Sequence, residues 1–148
     1  MKTPSKMVIE VAFGTPQYQA TVQFRKMVLH EPLNMPFTQV QLNEEYNSFH
    51  FACIDEQSTV LGCLIMQPID ADTVEMKEVA VLHEYRSSGV GTEMVGYVEN
   101  WAKERGFKRI SLISWGSSTA FYIRRGYRKS GKAFKRNETD HYKMVKSL

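Results

Sequence analysis

The stretch VAVLHEYRSSGVGTEMVGYVENWAKERGF, residues 79–107, decides the fold. It ends a β-type run, places Arg86, Ser87 and Ser88 before Gly89-Val90-Gly91, and then enters a helical pattern. Met94, Val98 and Trp101 recur at helical spacing, which predicts an amphipathic helix over 90–105 with Glu99, Asn100, Lys103 and Glu104 on its wet side. Gly106 suits the end of that helix. The start of such a helix offers unpaired N–H groups and a partial positive charge, so phosphate binds there readily. Gly89 and Gly91 let the backbone approach an anion closely, Ser87 and Ser88 add hydroxyl donors, and Arg86 adds a cation.

On the N-terminal side, residues 7–13 (MVIEVAF) read as a strand closed by Gly14. Thr15-Pro16 then opens a helix as cap and first helical residue. Residues 31–47 carry two prolines and read as irregular or as a broken short helix. FHFACID and VLGCLIMQPI form a hairpin over 49–69 around the EQST turn, and VEMKEVAVL is a longer strand. On the C-terminal side KRISLIS is a short strand and SSTAFYIRR a short helix stopped by Gly126, followed by two closing strands. This alternation argues for an α/β domain built on one mixed sheet.

Two phosphate motifs fail against the turn. A dinucleotide fingerprint needs a third glycine where Met94 stands, and a P-loop needs a lysine where Tyr97 stands. RSSGVG instead carries Arg86, Gly89 and Gly91 at the fixed positions of [QR]-x-x-G-x-[GA], between an apolar strand and an amphipathic helix, with AFYIRRGY downstream. In this it resembles the acyl-CoA turn of the GNAT N-acetyltransferases, and the closing HYKMVKSL looks like the end of the small ElaA-like branch. The resemblance covers essentially the whole chain and implies a single domain over 1–148. It also implies the GNAT fold, a mixed, mostly antiparallel sheet of six to seven strands flanked by about four helices.

It further implies acetyl-CoA as cosubstrate. Val79, Ala80 and Val81 would meet the pantetheine arm as an added strand would. The amides of Ser87, Ser88, Gly89, Val90, Gly91 and Thr92 would cradle the diphosphate, with Arg86 and Arg124 as cations. Tyr122 would protonate the departing thiolate, with Phe121 beside it. Trp115 and Ser118 stand where the family often has Asn and Ala, so Ser117 or Ser118 would take over that pantetheine contact. The reaction so implied is direct attack of a primary amine on the thioester in a ternary complex. Its base is Glu75, Glu78 or a water chain; strand alternation sends the two carboxylates to opposite faces, so that one of them sees the cleft.

The acceptor side would be built from roughly 25–46 and 131–141, where Glu31, Glu44 and Glu45 mix with Met27, Leu33, Met35 and Phe37. That mixture suits a cationic amine with an apolar body, and a small-molecule or peptide amine is the expected acceptor. A non-catalytic module that binds acyl-CoA is the competing function.

Bulk properties exclude other classes. The net charge of +3 conceals a local +7 between residues 124 and 146. That basic segment has few aromatics to interleave with bases, which argues against a nucleic-acid partner. No run is long enough to span a membrane, and the N-terminus lacks the apolar core of a signal peptide. Two cysteines, Cys53 and Cys63, in apolar runs read as reduced core residues of a cytoplasmic protein. His50 and Cys53 sit at H-x-x-C spacing, but alternation parts them and no second pair exists, so no metal is expected. Homodimers are common in proteins similar to this one, and the sequence leaves a homodimer open without fixing the oligomeric state.

Overall fold

The order of strands in the sheet explains where a cleft can open. The computed structural model describes residues 5–32, 34 and 38–148. Its strands are β1 (Lys6–Val11), β2 (Phe49–Asp55), β3 (Val60–Pro68), β4 (Thr73–Val81), β5 (Arg109–Trp115), β6 (Arg128–Lys129), β7 (Phe134–Arg136) and β8 (Thr139–Ser147). They run in the order β1-β2-β3-β4-β5-β8-β6, with β7 attached to β8. Every pairing is antiparallel except β4 with β5. The helices are α1 (Pro16–Arg25), α2 (Gln39–Asn43), α3 (Val90–Glu104) and α4 (Ser118–Arg124). This is the mixed sheet with four helices that the resemblance implies. The closing hairpin is shorter than its sequence suggests, since β6 pairs over two residues and β7 over three.

Two apolar layers hold the sheet. On one face, Val90, Met94, Val95, Val98 and Ala102 of α3 and Tyr122 of α4 pack on Phe51, Leu64, Met66, Val74, Met76, Ile110, Leu112 and Met144. On the other, Tyr18, Val22 and Phe24 of α1 cover Val11, Ala52, Cys63 and Ala80. The stripe read from α3 is therefore correct in phase but too narrow, because Val90, Val95 and Ala102 are buried as well. Glu99 departs from its expected wet position. Its carboxylate accepts from Lys146 Nζ at 2.8 Å and Tyr127 Oη at 3.0 Å, tying α3 to β8. That cross-chain pairing is invisible to helical periodicity alone.

Local capping sets the helix starts. Thr15 accepts from Tyr18 N and is followed by Pro16, as the sequence indicates. Thr38 and Gln41 form a reciprocal capping box that orders the five residues of α2 within the segment read as irregular.

Candidate functional site

β4 and β5 pair at three positions only, Thr73 with Arg109, Val74 with Ile110 and Glu75 with Ser111. Beyond that they part: β4 stays with β3 as far as Val81, and β5 stays with β8 as far as Trp115. A bulge assists the divergence. Cys63 faces Ala80 and Ile65 faces Lys77, so Glu78 and Val79 together oppose one residue of β3. Glu78 holds φ at +54°, a conformation unfavourable for any residue with a Cβ. The β5-facing edge of β4 past Glu75 is thus left without a ladder partner, next to Val79, Ala80 and Val81.

Leu82 N bonds to Leu61 O at 2.8 Å, and a single tight turn, His83–Tyr85, leads to the glycine-rich stretch. Gly89 takes φ +89° as the residue before α3, and no side chain caps the helix. The first α3 amides, those of Val90, Gly91 and Thr92, therefore lack an intrahelical acceptor. Ser88 spends both its N–H and its hydroxyl proton on the Tyr85 carbonyl, so it shapes the turn. Ser87 remains exposed at the surface. A cleft of about 370 Å³ lies here, lined by Arg86, Ser87, Gly89, Gly91 and Thr92 together with Phe121, Arg124 and Arg125.

α4 closes that cleft from the far side. Ser118 Oγ accepts from Trp115 N and donates to Trp115 O, which turns the end of β5 into α4 and leaves Ser117 exposed. Tyr122 is 5% exposed, with edge-to-face contacts to Phe121 at 5.1 Å and Tyr127 at 5.5 Å. Burial pushes its phenol up to about 12, against the opposing pull of the Arg125 charge. Arg125 lies 3.6 Å over the Phe121 ring, donates to Phe121 O at 2.9 Å and bonds Thr92 Oγ1, linking the end of α4 to the first turn of α3. Its Nε is buried without a hydrogen-bond partner among the described residues, a spare donor at the cleft wall. The sequence points to Arg124, and the packing separates it from its neighbour: Arg124 is exposed and Arg125 is the tie.

On the α1 face, Glu78 Oε2 meets His30 Nε2 at 2.9 Å. The bulge has reset the alternation. Val74 and Met76 belong to the α3-side core, which turns Glu75 towards the α1 side, and Glu78 points to that side too. His30 has no distinguishing local signature, which is why reading along the chain passes over it.

The segment after α2 is anchored to α1 by a buried ion pair. Arg25, 1% exposed, donates from both terminal nitrogens to Glu45 at 2.8 and 2.9 Å. Tyr18 Oη donates to the same carboxylate at 2.7 Å, and His50 Nε2 meets Glu45 O at 3.0 Å. Burial alone would raise the Glu45 carboxyl, but the Arg25 bonds and charge outweigh it and hold it low. Glu45 is therefore a structural anchor, whereas Glu31 and Glu44 are exposed. Leu33, Met35 and Phe37 lie outside the described residues. His50 spends its ring on this network and Cys53 sits in the opposite core.

Comparison with known proteins bears on this geometry. Residues 17–131 match the Acetyltransferase (GNAT) family. A probable N-acetyltransferase 14 of Xenopus tropicalis is 38% identical over 65 residues, covering 43% of this chain and 32% of that protein. The chain thus spans about a third of the length of that relative. A GNAT acetyltransferase of Elizabethkingia anophelis, solved with acetyl-CoA bound, superimposes with a TM-score of 0.74 at 18% identity over 97% of this chain and 98% of that one. Escherichia coli ElaA gives 0.79 at 15% identity, over 96% and 99%. At such identities the likeness is one of fold.

Proposed function

The chain belongs to the GNAT acetyltransferase family, and on that premise we propose that it transfers an acetyl group from acetyl-CoA to a primary amine by direct attack in a ternary complex. The single observation that carries this is the parting of β4 from β5 past Glu75, with Val81 of the freed strand next to Gly91 at an uncapped helix start walled by three arginines. The residues fit the cosubstrate. The free β4 edge from Val79 to Val81 suits an extended amide-bearing arm. The amides of Val90, Gly91 and Thr92, with Arg86, Arg124 and Arg125, suit a diphosphate. A structure of the Elizabethkingia relative with acetyl-CoA bound supports the same assignment. We take the whole chain as one catalytic domain, and the two buried free thiols suit a reducing compartment such as the cytoplasm.

Tyr122 serves the sulfur side of the thioester and Glu78 the amine side. A phenol kept protonated by burial is a hydrogen-bond donor throughout the neutral range. Glu78 is partly exposed, at 27%, and fixed by a partner, which favours it as the base that takes the proton of the acceptor's ammonium. Glu75 sits lower on β4, where β4 and β5 are still paired, and is the less favoured carboxylate. The acceptor is a small-molecule or peptide amine approaching from the α1 side.

Thiol release from acetyl-CoA against a panel of glycine ethyl ester, phenethylamine, spermidine and a lysine-containing tripeptide, run beside calorimetric titration with CoA, tests this reading. Binding with turnover is expected. Failure to bind CoA would refute the site, and binding without turnover on a widened amine library would favour an acyl-CoA-binding module.

A further inference from the structure

Two backbone irregularities in distant parts of the chain converge on one contact. The first is in the helix that leads to the acceptor side. After Arg25 the ladder widens, with Glu31 N bonding to Lys26 O at 2.9 Å, so Lys26–His30 form a π-helical turn. In a continuous α-helix His30 would stand about 140° round from Arg25, off the buried stripe of Tyr18, Val22 and Arg25. The i→i+5 bond brings the chain back to the same side after five residues, and His30 follows Arg25 onto the face that meets the sheet. The second irregularity is the bulge at Glu78, which keeps a glutamate in a left-handed conformation that glycine would adopt more easily. Turns of π type and strained non-glycine residues both concentrate at functional sites.

These two departures place His30 Nε2 at 2.9 Å from Glu78 Oε2. Glu78 also lies within the charge field of Arg25 and near the Cys63 thiol. Arg25 itself is committed to Glu45 in a two-bond pair, so the imidazole is the group that fixes the Glu78 carboxylate directly.

We propose that His30 is the positioning residue of this acetyltransferase. Its Nε2–H donates to one carboxylate oxygen of Glu78 and leaves the other directed at the acceptor amine. The inference rests on Glu78 being the base. In the step served, a proton passes from the ammonium nitrogen to the free Glu78 oxygen and later to solvent, while the N–H bond of His30 stays intact. This explains why a glutamate is held where glycine would relieve the backbone: the side chain has a partner waiting on the π turn.

The test is a cycle of His30→Asn, Glu78→Gln and the double variant, with His30→Gln as the conservative replacement. An asparagine amide is polar but too short to reach Glu78, and a glutamine amide can reach it. Kinetics use the best acceptor of the four-amine panel, with kcat and KM resolved for each substrate. His30→Asn is expected to lower kcat/KM for the amine about tenfold. Acetyl-CoA KM and CoA affinity should be unchanged, and His30→Gln should recover most of the rate. In the Glu78→Gln background His30→Asn should add less than about twofold, because the group it positions is gone.

An equal loss in both backgrounds, or a parallel loss of CoA affinity, would overturn the positioning role. A slow Glu78→Gln beside a fully active His30→Asn would defeat His30 and spare the base. A fully active Glu78→Gln would defeat the base, and His30 with it. A crystal structure of His30→Asn supplies an arm independent of any acceptor: the Glu78 carboxylate should leave its place, and a carboxylate that stays would refute the proposal.

Discussion

Replacing Tyr122 by Phe removes one oxygen from a ring held edge-to-face by Phe121 and Tyr127 and otherwise keeps its packing. The size of the effect follows from the environment. Burial pushes the phenol up to about 12. An alkyl thiol such as that of cysteine titrates near about 8.5, so net proton transfer from Tyr122 to a departing thiolate is uphill by about 5 kcal/mol. The protonation expected from the sequence is therefore better described as a hydrogen bond to the thiolate. A hydrogen bond to a charged acceptor contributes about 1.5–3 kcal/mol, which corresponds to roughly a 10- to 100-fold fall in kcat for Tyr122→Phe. CoA affinity by calorimetry should change by less than about twofold, because the interaction belongs to the developing charge rather than to the bound ground state. The pH profiles of both proteins should share one shape up to about pH 10, since the phenol remains protonated there. An unchanged kcat would remove Tyr122 from the chemistry. A loss of about 10⁴-fold with a wild-type alkaline limb near pH 8–9 that vanishes in the variant would show full proton transfer, and would refute the reasoning from burial.

Alkali should destabilise the fold. Burial raises the phenols of Tyr18, Tyr122 and Tyr127, with Glu45 and Glu99 adding to the first and last. A raised pKa means that the folded state keeps a proton the unfolded chain releases, so this stability is intact below about pH 10 and is lost above it. Tyr122 alone accounts for about 3 kcal/mol between pH 10 and pH 12, and thermal melts at pH 8.5 and 11 that coincide would contradict the burial of these rings. Gly89→Ala should cost about 1–2 kcal/mol through left-handed strain at φ +89° and lower Tm by roughly 2–8 °C. It should also weaken CoA binding, and calorimetry showing normal affinity would contradict the cradle. Arg25→Met should cost about 3–5 kcal/mol in urea unfolding by leaving Glu45 half-buried without its counter-charge, whereas Arg25→Met with Glu45→Leu should recover most of that. A single variant within about 1 kcal/mol of the parent would show that the pair does not anchor the segment.

Where a feature is set by neighbours in the chain, the sequence reading reaches it. Gly89 before α3, Gly106 after it, Thr15-Pro16 at the start of α1 and Gly126 after α4 all stand where their backbone conformations require them. RSSGVG is local in the same sense, and so is the phase of Met94, Val98 and Trp101. The misreadings share one cause. Helical periodicity assigns Glu99 to solvent because it cannot see Lys146 arriving from β8 and Tyr127 from the segment between α4 and β6. Alternation sends Glu75 and Glu78 to opposite faces because it assumes an unbroken ladder, and the bulge breaks it. Nothing in the residues around Arg25 signals its burial, which depends on Glu45, twenty residues away, neutralising it.

By itself, then, the order of residues pointed to the family, the glycine-rich turn before α3 and the alternation of strands and helices, since each depends on hydrogen bonds and conformations within a few residues. Only the folded sheet decided which carboxylate faces which partner. Contacts such as His30 with Glu78 and Arg125 with Thr92 join residues dozens of positions apart, and their geometry exists only after the packing of two layers has fixed it.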